Sequence, residues 1–478
     1  MTDTQVLIIG GGISGLSTAW SLARCGISVE VWEADEQPGG KIRSTREQGY
    51  LTERAAGLLV NFRPQIDELI RQAGLDHRKR SRNRELNRYV VRQGRLAQVP
   101  MRLPAMALSP LWSRSAKLRL LTEILIPRGG STDESVASFI RRRLGEEILE
   151  TAIDPFIAGT LASDPDLASA QAVLPRLTAL ERRYGSITLG MLVSRVLNKR
   201  RANLADTFSF QGGMSELTRA LAATPGIRLH TGLLAAGLER TAEGWLATGN
   251  TRVGRRQTRT SHLVISAPAD AAAALLGPLD RRLATELAGI RYAPLSVLHL
   301  GLRRDKIRHP LDGSGFLVPR REGLTFNGNL WMSHLFPDRA PEGQVLLTSY
   351  IGGARAPARA EQSQEQLIAD TLQGLGRLLG VKSDPDYVRL DRHARALPLY
   401  HGDYPAHTAR IEGRLAQHPG LHLSANYLGG VSVRERLFQG MQKARQIEQA
   451  LRRTGDLGDT AERSLNLHNG NPPHPASP

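Results

Sequence analysis

The sequence is poor in cysteine, in long apolar runs and, over one stretch, in acid. Cys25 is the only cysteine among 478 residues. That excludes an intrachain disulfide and a cysteine metal cluster and fits a reducing compartment. No apolar stretch reaches the ~18 residues that cross a bilayer. The N-terminus lacks the basic start of a secretory signal, and its apolar run is broken by three glycines. A soluble or peripheral protein of the cytoplasm is expected. Between His77 and Arg119, Glu85 is the only acid against twelve lysines and arginines, so this segment supplies +11 of the net charge of +17. Nucleic acid would be drawn to such a stretch, but only Tyr89 and Trp112 could stack on bases and no recognition motif is present; no nucleic-acid partner is expected. Met101, Leu103, Met106, Leu108, Leu111 and Trp112 lie among its prolines and arginines. That mixture fits an edge dipping into an anionic membrane surface on the inner face, a funnel for an acidic substrate, or a plain solvated basic face.

What the chain does have is concentrated in Val6–Arg43. Val6–Ile9 reads as a strand buried on both faces. Gly10, Gly12 and Gly15 then form G-x-G-x-x-G, with Gly11, Ile13 and Ser14 between them, and a helical pattern follows through Leu16, Ala19, Leu22 and Ala23. Val29–Trp32 is a second strand, and it ends on Glu33. Gly10 makes the tight turn, Gly12 lets the backbone approach a pyrophosphate, and Gly15 lets helix and strand pack closely. The helix start offers free N–H groups to phosphates. Glu33 stands where a carboxylate binds ribose hydroxyls. Gly39-Gly40-Lys41-Ile42-Arg43 follows directly: a second glycine pair with two cations, read as a second pass beside the same phosphates, with a solvated Lys/Arg turn as the plainer alternative.

Length predicts roughly three domain-sized units. Gln48–Gly74 reads as a strand and a helix carrying Phe62, Ile66, Leu69 and Ile70. Arg88–Arg95 reads as a hairpin turning at Gly94. Ser131-Thr-Asp-Glu134 reads as a capping box for a helix through Val136, Phe139, Ile140 and Leu144, with helices continuing to about Leu197. Asp206–Gln211, Ile227–Leu229 and His262–Ser266 read as strands, and Gly237–Val253 as a small meander. An alternating β region follows from Leu295 to Tyr350, then an amphipathic helix Gln362–Leu379. Leu421–Leu423 is a late strand leading through Gly429-Gly430 to a last helix ending near Arg452. The tail 454–478 has a disordered composition.

These stretches resemble the oxygen-dependent protoporphyrinogen/coproporphyrinogen oxidases of the FAD-dependent amine oxidase superfamily. The resemblance is carried by the glycine loops and by Arg88-Tyr-Val-Val, Pro127-Arg-Gly-Gly, Ile153-Asp-Pro-Phe-Ile-Ala-Gly159 and Leu174-Pro-Arg-Leu. It continues through Glu181-Arg-Arg-Tyr-Gly-Ser186, Gly190-Met-Leu, Phe210-Gln-Gly-Gly213, Phe316-Leu-Val-Pro319, Phe336–Gly343 and Asn426-Tyr-Leu-Gly-Gly-Val431. It implies an α/β and α+β architecture: a Rossmann-like FAD domain of the p-hydroxybenzoate-hydroxylase type in three segments (1–84, 206–279 and 411–453). A helical membrane-associated domain would cover 85–205, and a mixed or antiparallel substrate domain 280–410. It implies FAD as cofactor, no metal, a homodimer, and a six-electron oxidation of a porphyrinogen in three two-electron steps. Hydride would leave a meso carbon, and dioxygen would reoxidise the flavin to give hydrogen peroxide.

Residue by residue, the resemblance puts Arg88 on a propionate and the Gly159 carbonyl against pyrrole N–H groups, with a surface arginine and a close helix contact as the plainer alternatives. Leu233 would meet adenine or be an ordinary strand residue. Ala55-Ala56-Gly57 and Leu58 would lie against the flavin, Asn426 at its ribityl chain, and Val431, with Ser432 and Val433, at its pyrimidine edge. Three departures stand out. Ala55-Ala56-Gly57 replaces Gly-Pro followed by Asn or Arg. Ser314 stands where an aromatic residue lines the porphyrin slot, leaving Phe316 as its expected substitute. Arg434-Glu435-Arg436 stands where small or uncharged residues are common. A flavin oxidase or desaturase of another flat apolar substrate, and a flavin-binding homologue without turnover, are the competing functional readings.

Overall fold

A computed structural model describes residues 2–82, 86–100, 108–130, 133–197 and 206–455. A seven-stranded sheet carries the nucleotide motif. Its strand order is Ile227–His230, Val29–Trp32, Thr2–Ile9, Gly254–Ile265, Gly244–Thr251 and Leu234–Thr241, with Leu421–Leu423 also pairing to Gly254–Ile265. The first four strands run parallel, with Ile9 opposite both Trp32 and Ile265. Val6, Leu7, Ile8 and Ile9 are all buried because helices cover one face and folded-back chain covers the other. On the first face, Val6, Ile8, Val29 and Val31 pack against Ala19 and Leu22 of the first helix, Ile13–Arg24, and Ile447 and Leu451 of the last, Val433–Arg453. These two helices come close enough for Ser17 Oγ to donate to Leu437 O at 2.8 Å. On the second face, Trp32 and Leu263 meet Leu238 and Trp245 of the meander.

The antiparallel sheet also has seven strands: Tyr387–Pro398, Tyr292–Arg303, Gln344–Gly352, Phe326–Trp331, Gly313–Leu317, Asn87–Arg92 and Arg95–Gln98. The helix Gln364–Leu379, capped by Ser363, covers one face through Leu367, Leu375 and Leu379. The hairpin expected in the helical segment therefore belongs to this sheet. Its strand Asn87–Arg92 lies parallel to Gly313–Leu317, because Val91 and Tyr89 have an apolar face to bury there. Its turn places Gln93 and Gly94 at φ 52° and 70°, and the Glu322 carboxylate accepts both of their N–H groups at 2.8 and 2.9 Å.

The helical region has a core of its own, Val136, Phe139, Ile140, Ile148 and Ile157, joined by Val90 of the hairpin. The capping residue differs from expectation: the helix Val136–Leu144 is capped by Ser135, whose Oγ accepts from Ser138 N at 3.1 Å. Glu134 instead pairs with Arg142 at 2.8 Å; Ser131 and Thr132 lie outside the described residues. Leu149–Ile153 is a π-helical stretch just before the helix Asp154–Leu161. Pro155 accounts for it, since proline has no N–H to give Thr151 and its ring would strike that carbonyl. Phe62, expected on the helix within Gln48–Gly74, precedes it; that helix is Pro64–Gln72, and Phe62 lies exposed beneath Arg434, 3.9 Å from ring to guanidinium. Met101, Leu103, Met106 and the tail beyond Gly455 lie outside the described residues.

Candidate cofactor and substrate site

The strand Thr2–Ile9 ends in Gly10 at φ 110°, a conformation that side chains disfavour. A Cβ at Gly15 would collide with the Gly10 carbonyl oxygen, so helix and turn touch through bare backbone. A Cβ at Gly12 would meet nothing within 4 Å. It projects into open space in front of a helix whose start has no side-chain cap and no acid in its first turn. The N–H groups of Ile13, Ser14 and Gly15 are thus left for a ligand. The second glycine pair arrives as read: Gly39 bridges to Gly12, and Gly39 N donates to Gly11 O at 2.8 Å. Two glycine backbones therefore line one cradle, which fits a pyrophosphate.

The cations of the second pass turn elsewhere. Lys41 Nζ reaches the carbonyls of Arg395 and Ala396, the latter at 2.6 Å. Burial, with help from Arg395 and Arg54, brings its pKa down to about 8. Arg43 pairs with Asp35. Gly40, at φ 58°, supplies backbone only. Glu33 is buried at the end of its strand, accepting from Gly11 N at 2.7 Å and Asp35 N at 2.9 Å. Burial raises its pKa, and the two N–H groups oppose that rise. Leu233 is buried beside it and gives its N–H to Glu33 O at 2.9 Å.

The segment Ala55–Leu58 joins the strand Tyr50–Glu53 to the strand Leu59–Asn61 of a small three-stranded sheet, and the chain just before it, at Glu53 and Arg54, lies against the seven-stranded antiparallel sheet. Two histidines of that sheet hold it. His299 Nε2–H donates to Glu53 O at 3.1 Å, and His393 Nε2–H donates to Arg54 O at 2.8 Å. Burial lowers the His299 pKa to about 4, so its Nδ1 is free to accept from Thr348 Oγ1, 2.8 Å away. The Glu53 side chain anchors the same segment from below. Its carboxylate accepts from Met214 N at 2.9 Å and Ser44 Oγ at 2.7 Å, and the fully buried Arg339 lies 3.4 Å away. Burial still outweighs that cation and lifts Glu53 to about 7. Gly57 accounts for one departure from the family pattern: Met332 Cε already fills the space, 2.8 Å from where a Cβ would stand. Leu58 packs in the same cluster as Met332.

The loop 424–432 brings the last strand to the last helix. Ser432 caps that helix, its Oγ accepting from Glu435 N at 3.3 Å, and Val433 is its buried first residue. Asn426 and Val431 are half-buried in the loop. The Arg-Glu-Arg departure has a structural role. Arg434 stacks on Phe62, Glu435 pairs with Arg63 at 3.2 Å, and Arg436 turns inward.

Among the expected substrate residues, Arg88 and Gly159 come to one side of the antiparallel sheet. A Cβ at Gly159 would collide with Leu317 Cδ2, so this helix packs tightly on the sheet. Leu317 lies opposite Val90, and Arg88, two residues earlier on that strand and exposed, shares its face. Phe316 does not substitute for the missing aromatic residue at 314. Phe316 faces away from its neighbour Leu317, so its ring points into the core with Phe326 and Trp331, 6.0 and 6.5 Å between centroids. Ser314 is half-buried and its Oγ donates to Asn87 O at 3.3 Å. His299, His393, Glu53, Arg339 and Met332 were not singled out in the sequence. Of these, only Arg339 left a signal there, inside Phe336–Gly343.

The model of the flavin containing amine oxidoreductases matches residues 13–447. The mitochondrial protoporphyrinogen oxidase of Nicotiana tabacum is 30% identical over 474 residues, covering 92% of this chain and 94% of that protein. The coproporphyrinogen III oxidase of Bacillus subtilis (strain 168) is 24% identical, covering 91% and 96%. The crystal structure of an Exiguobacterium sp. 255-15 protein superposes with a TM-score of 0.78 at 22% identity over 94% of this chain and 100% of that one; at that identity it speaks to the fold. A dinucleotide cradle in a flavin family means FAD, and Gly10–Gly15, Gly39-Gly40 and Glu33 are the residues that would hold it. The chain belongs to the flavin containing amine oxidoreductase family, with protoporphyrinogen and coproporphyrinogen oxidases among its relatives over nine tenths of its length.

Proposed function

We propose that this flavoenzyme oxidises a porphyrinogen to the porphyrin, taking up three O2 and releasing three H2O2. The observation that carries the reading is relatedness along the whole chain, 92% of it, to a protein named protoporphyrinogen oxidase. Bound FAD supplies the two-electron acceptor, which dioxygen regenerates. The protein's part is to hold a large apolar macrocycle and exclude water. Arg88 offers a bidentate donor to a propionate, and the Gly159 helix lies on the same side of the sheet. Loops Ala55–Leu58 and Asn426–Val433 would flank the flavin ring, with Leu233 toward adenine.

The same reading includes attachment of the helical segment to an anionic membrane surface. Among the described residues no helix is long and apolar enough to cross a membrane. Leu118, Leu121 and Leu125, at helical spacing, are 61%, 73% and 78% exposed, and Leu108 is 86% exposed. The helix Arg114–Thr122 that starts this stripe carries Arg114 and Lys117. That is the composition of a surface that dips without spanning.

The test is aerobic porphyrin fluorescence with protoporphyrinogen and coproporphyrinogen side by side, against autoxidation. A rise with either supports the reading, and no rise with both ends it. Flotation with anionic vesicles at low and high salt tests the attachment, and failure to float at low salt removes that part alone.

A further inference from the structure

In the loop proposed to face the flavin, four consecutive carbonyls are held by side chains. Arg436 Nη1 donates to Ala425 O, Tyr400 Oη to Asn426 O at 3.1 Å, Tyr404 Oη to Tyr427 O at 2.5 Å, and Arg436 Nη2 to Leu428 O at 2.5 Å. Arg436 is 2% exposed, and Tyr400 and Tyr404 are 9% and 7% exposed, so the donors approach from the protein interior. A loop with its carbonyls fixed this way has little freedom left. The guanidinium brings a second consequence. Its neighbour Glu435 is already engaged by Arg434 at 3.1 Å and Arg63 at 3.2 Å. Among the described residues, no carboxylate lies at ion-pair distance from Arg436, and its Nε is buried without a hydrogen-bond partner. An arginine cannot shed its charge to escape burial. A full positive charge therefore stands in low dielectric behind a loop whose negative carbonyl ends already point toward it.

We infer that Arg436, with Tyr400 and Tyr404, is a positioning device that locks the 425–432 loop and makes its cofactor side electropositive. The inference rests on the proposed approach of the flavin pyrimidine edge to Val431. An electropositive loop there favours whatever negative charge collects on that edge, and so favours flavin reduction. The residue that does this is the one by which the chain departs from its family's small or uncharged pattern.

Sulfite is the probe, since its addition to flavin N5 leaves negative charge on the pyrimidine. In Arg436→Met the sulfite Kd is expected to rise about tenfold, equivalent to about 1.4 kcal/mol. Arg436→Lys keeps the charge and should stay within about threefold of the starting protein, while releasing FAD more readily on gel filtration. Tyr404→Phe should loosen FAD and leave sulfite affinity unchanged. A methionine variant with unaltered sulfite affinity overturns the inference, and so do methionine and lysine variants impaired alike, including both failing to load FAD. Val431→Pro separates the two layers. If removing that N–H changes neither FAD retention nor sulfite affinity, the proposed flavin placement fails, whatever the Arg436 variants do.

Discussion

The glycine cradle and the junction beneath the Ala55–Leu58 segment solve the same problem by opposite means. The cradle is backbone: Gly10–Gly15 and Gly39-Gly40 approach each other because they lack side chains, and all lie within 31 positions of one another. The junction is held by side chains: Glu53, Arg339, His299 and His393 meet, with the Met214 N–H, from five separate places along 341 positions. A cradle of backbone tolerates no added atom where backbone meets backbone, whereas a junction of side chains fails when one partner is left unmatched.

The sharpest way to break this contrast is within the cradle. Gly15→Val would drive a side chain into the Gly10 carbonyl, and backbone there cannot move without tearing the strand end. Thermal unfolding should show a loss above about 4 kcal/mol, among the largest for a single change. Gly12→Ala adds its Cβ to open space, so the apoprotein should unfold as before while FAD affinity falls at least about tenfold. Equal destabilisation by both would mean that Gly12 is structural and the cradle has been misread. Next in size is Arg339→Met, which strands Glu53 and should cost about 3–5 kcal/mol. The double change Glu53→Gln with Arg339→Met should recover most of that loss. If the double variant is as unstable as Arg339→Met, the two do not act as a pair.

That contrast also explains what could be read in advance. The parallel strands, the glycine turns and Glu33 follow from local spacing, because each residue's role is set by neighbours a few positions away. The hairpin strand Asn87–Arg92 was legible as a strand, but its sheet was not, since its partner Gly313–Leu317 lies 226 positions on. Plain alternation puts Phe316 on the face of position 314, two residues earlier, but the strand carries a bulge between Gly313 and Phe316 and the ring lies in the core. The helix at Val136 is capped by Ser135, which the S-x-x-E pattern at Ser131–Glu134 does not point to, because a cap is set by where the helix starts rather than by the box alone. His299 sits in an apolar strand, where nothing local distinguishes a core histidine from one that holds a loop carbonyl.

A third effect, smaller per pH step, comes from two groups of the junction whose shifts oppose each other. Glu53 is raised from 4.5 to about 7, so its stabilisation is full below pH 4.5 and lost as pH rises toward 7. His299 is lowered from 6.5 to about 4, so its stabilisation is full above pH 6.5 and lost as pH falls toward 4. Each contribution is on the order of 3 kcal/mol, and between pH 4.5 and 6.5 they offset. Against the unsubstituted protein, Glu53→Gln should therefore gain stability as pH rises through that window, and His299→Gln should lose it. Urea unfolding at half-unit pH steps reads this directly, and difference curves of the same sign would show that the two groups are not balanced as the geometry implies.

The smallest expected change in stability belongs to Arg88, and it bears on the substrate side of the same comparison. Arg88 is exposed on the sheet face it shares with Leu317, and it belongs to the basic stretch rather than to the buried junction. Arg88→Ala should therefore shift unfolding by less than about 0.5 kcal/mol and leave the FAD content whole. A charge-assisted bidentate contact with a propionate is worth about 1.5–3 kcal/mol. Its loss should raise KM for a porphyrinogen by at least about tenfold, and more for the substrate with four propionates than for the one with two if several approach this edge. Arg88→Lys should recover charge but not the paired geometry, and so only part of the KM. If KM is unchanged in the alanine variant, Arg88 is one more solvated cation of the 77–119 stretch, and the acidic end of the substrate must be met elsewhere on that face.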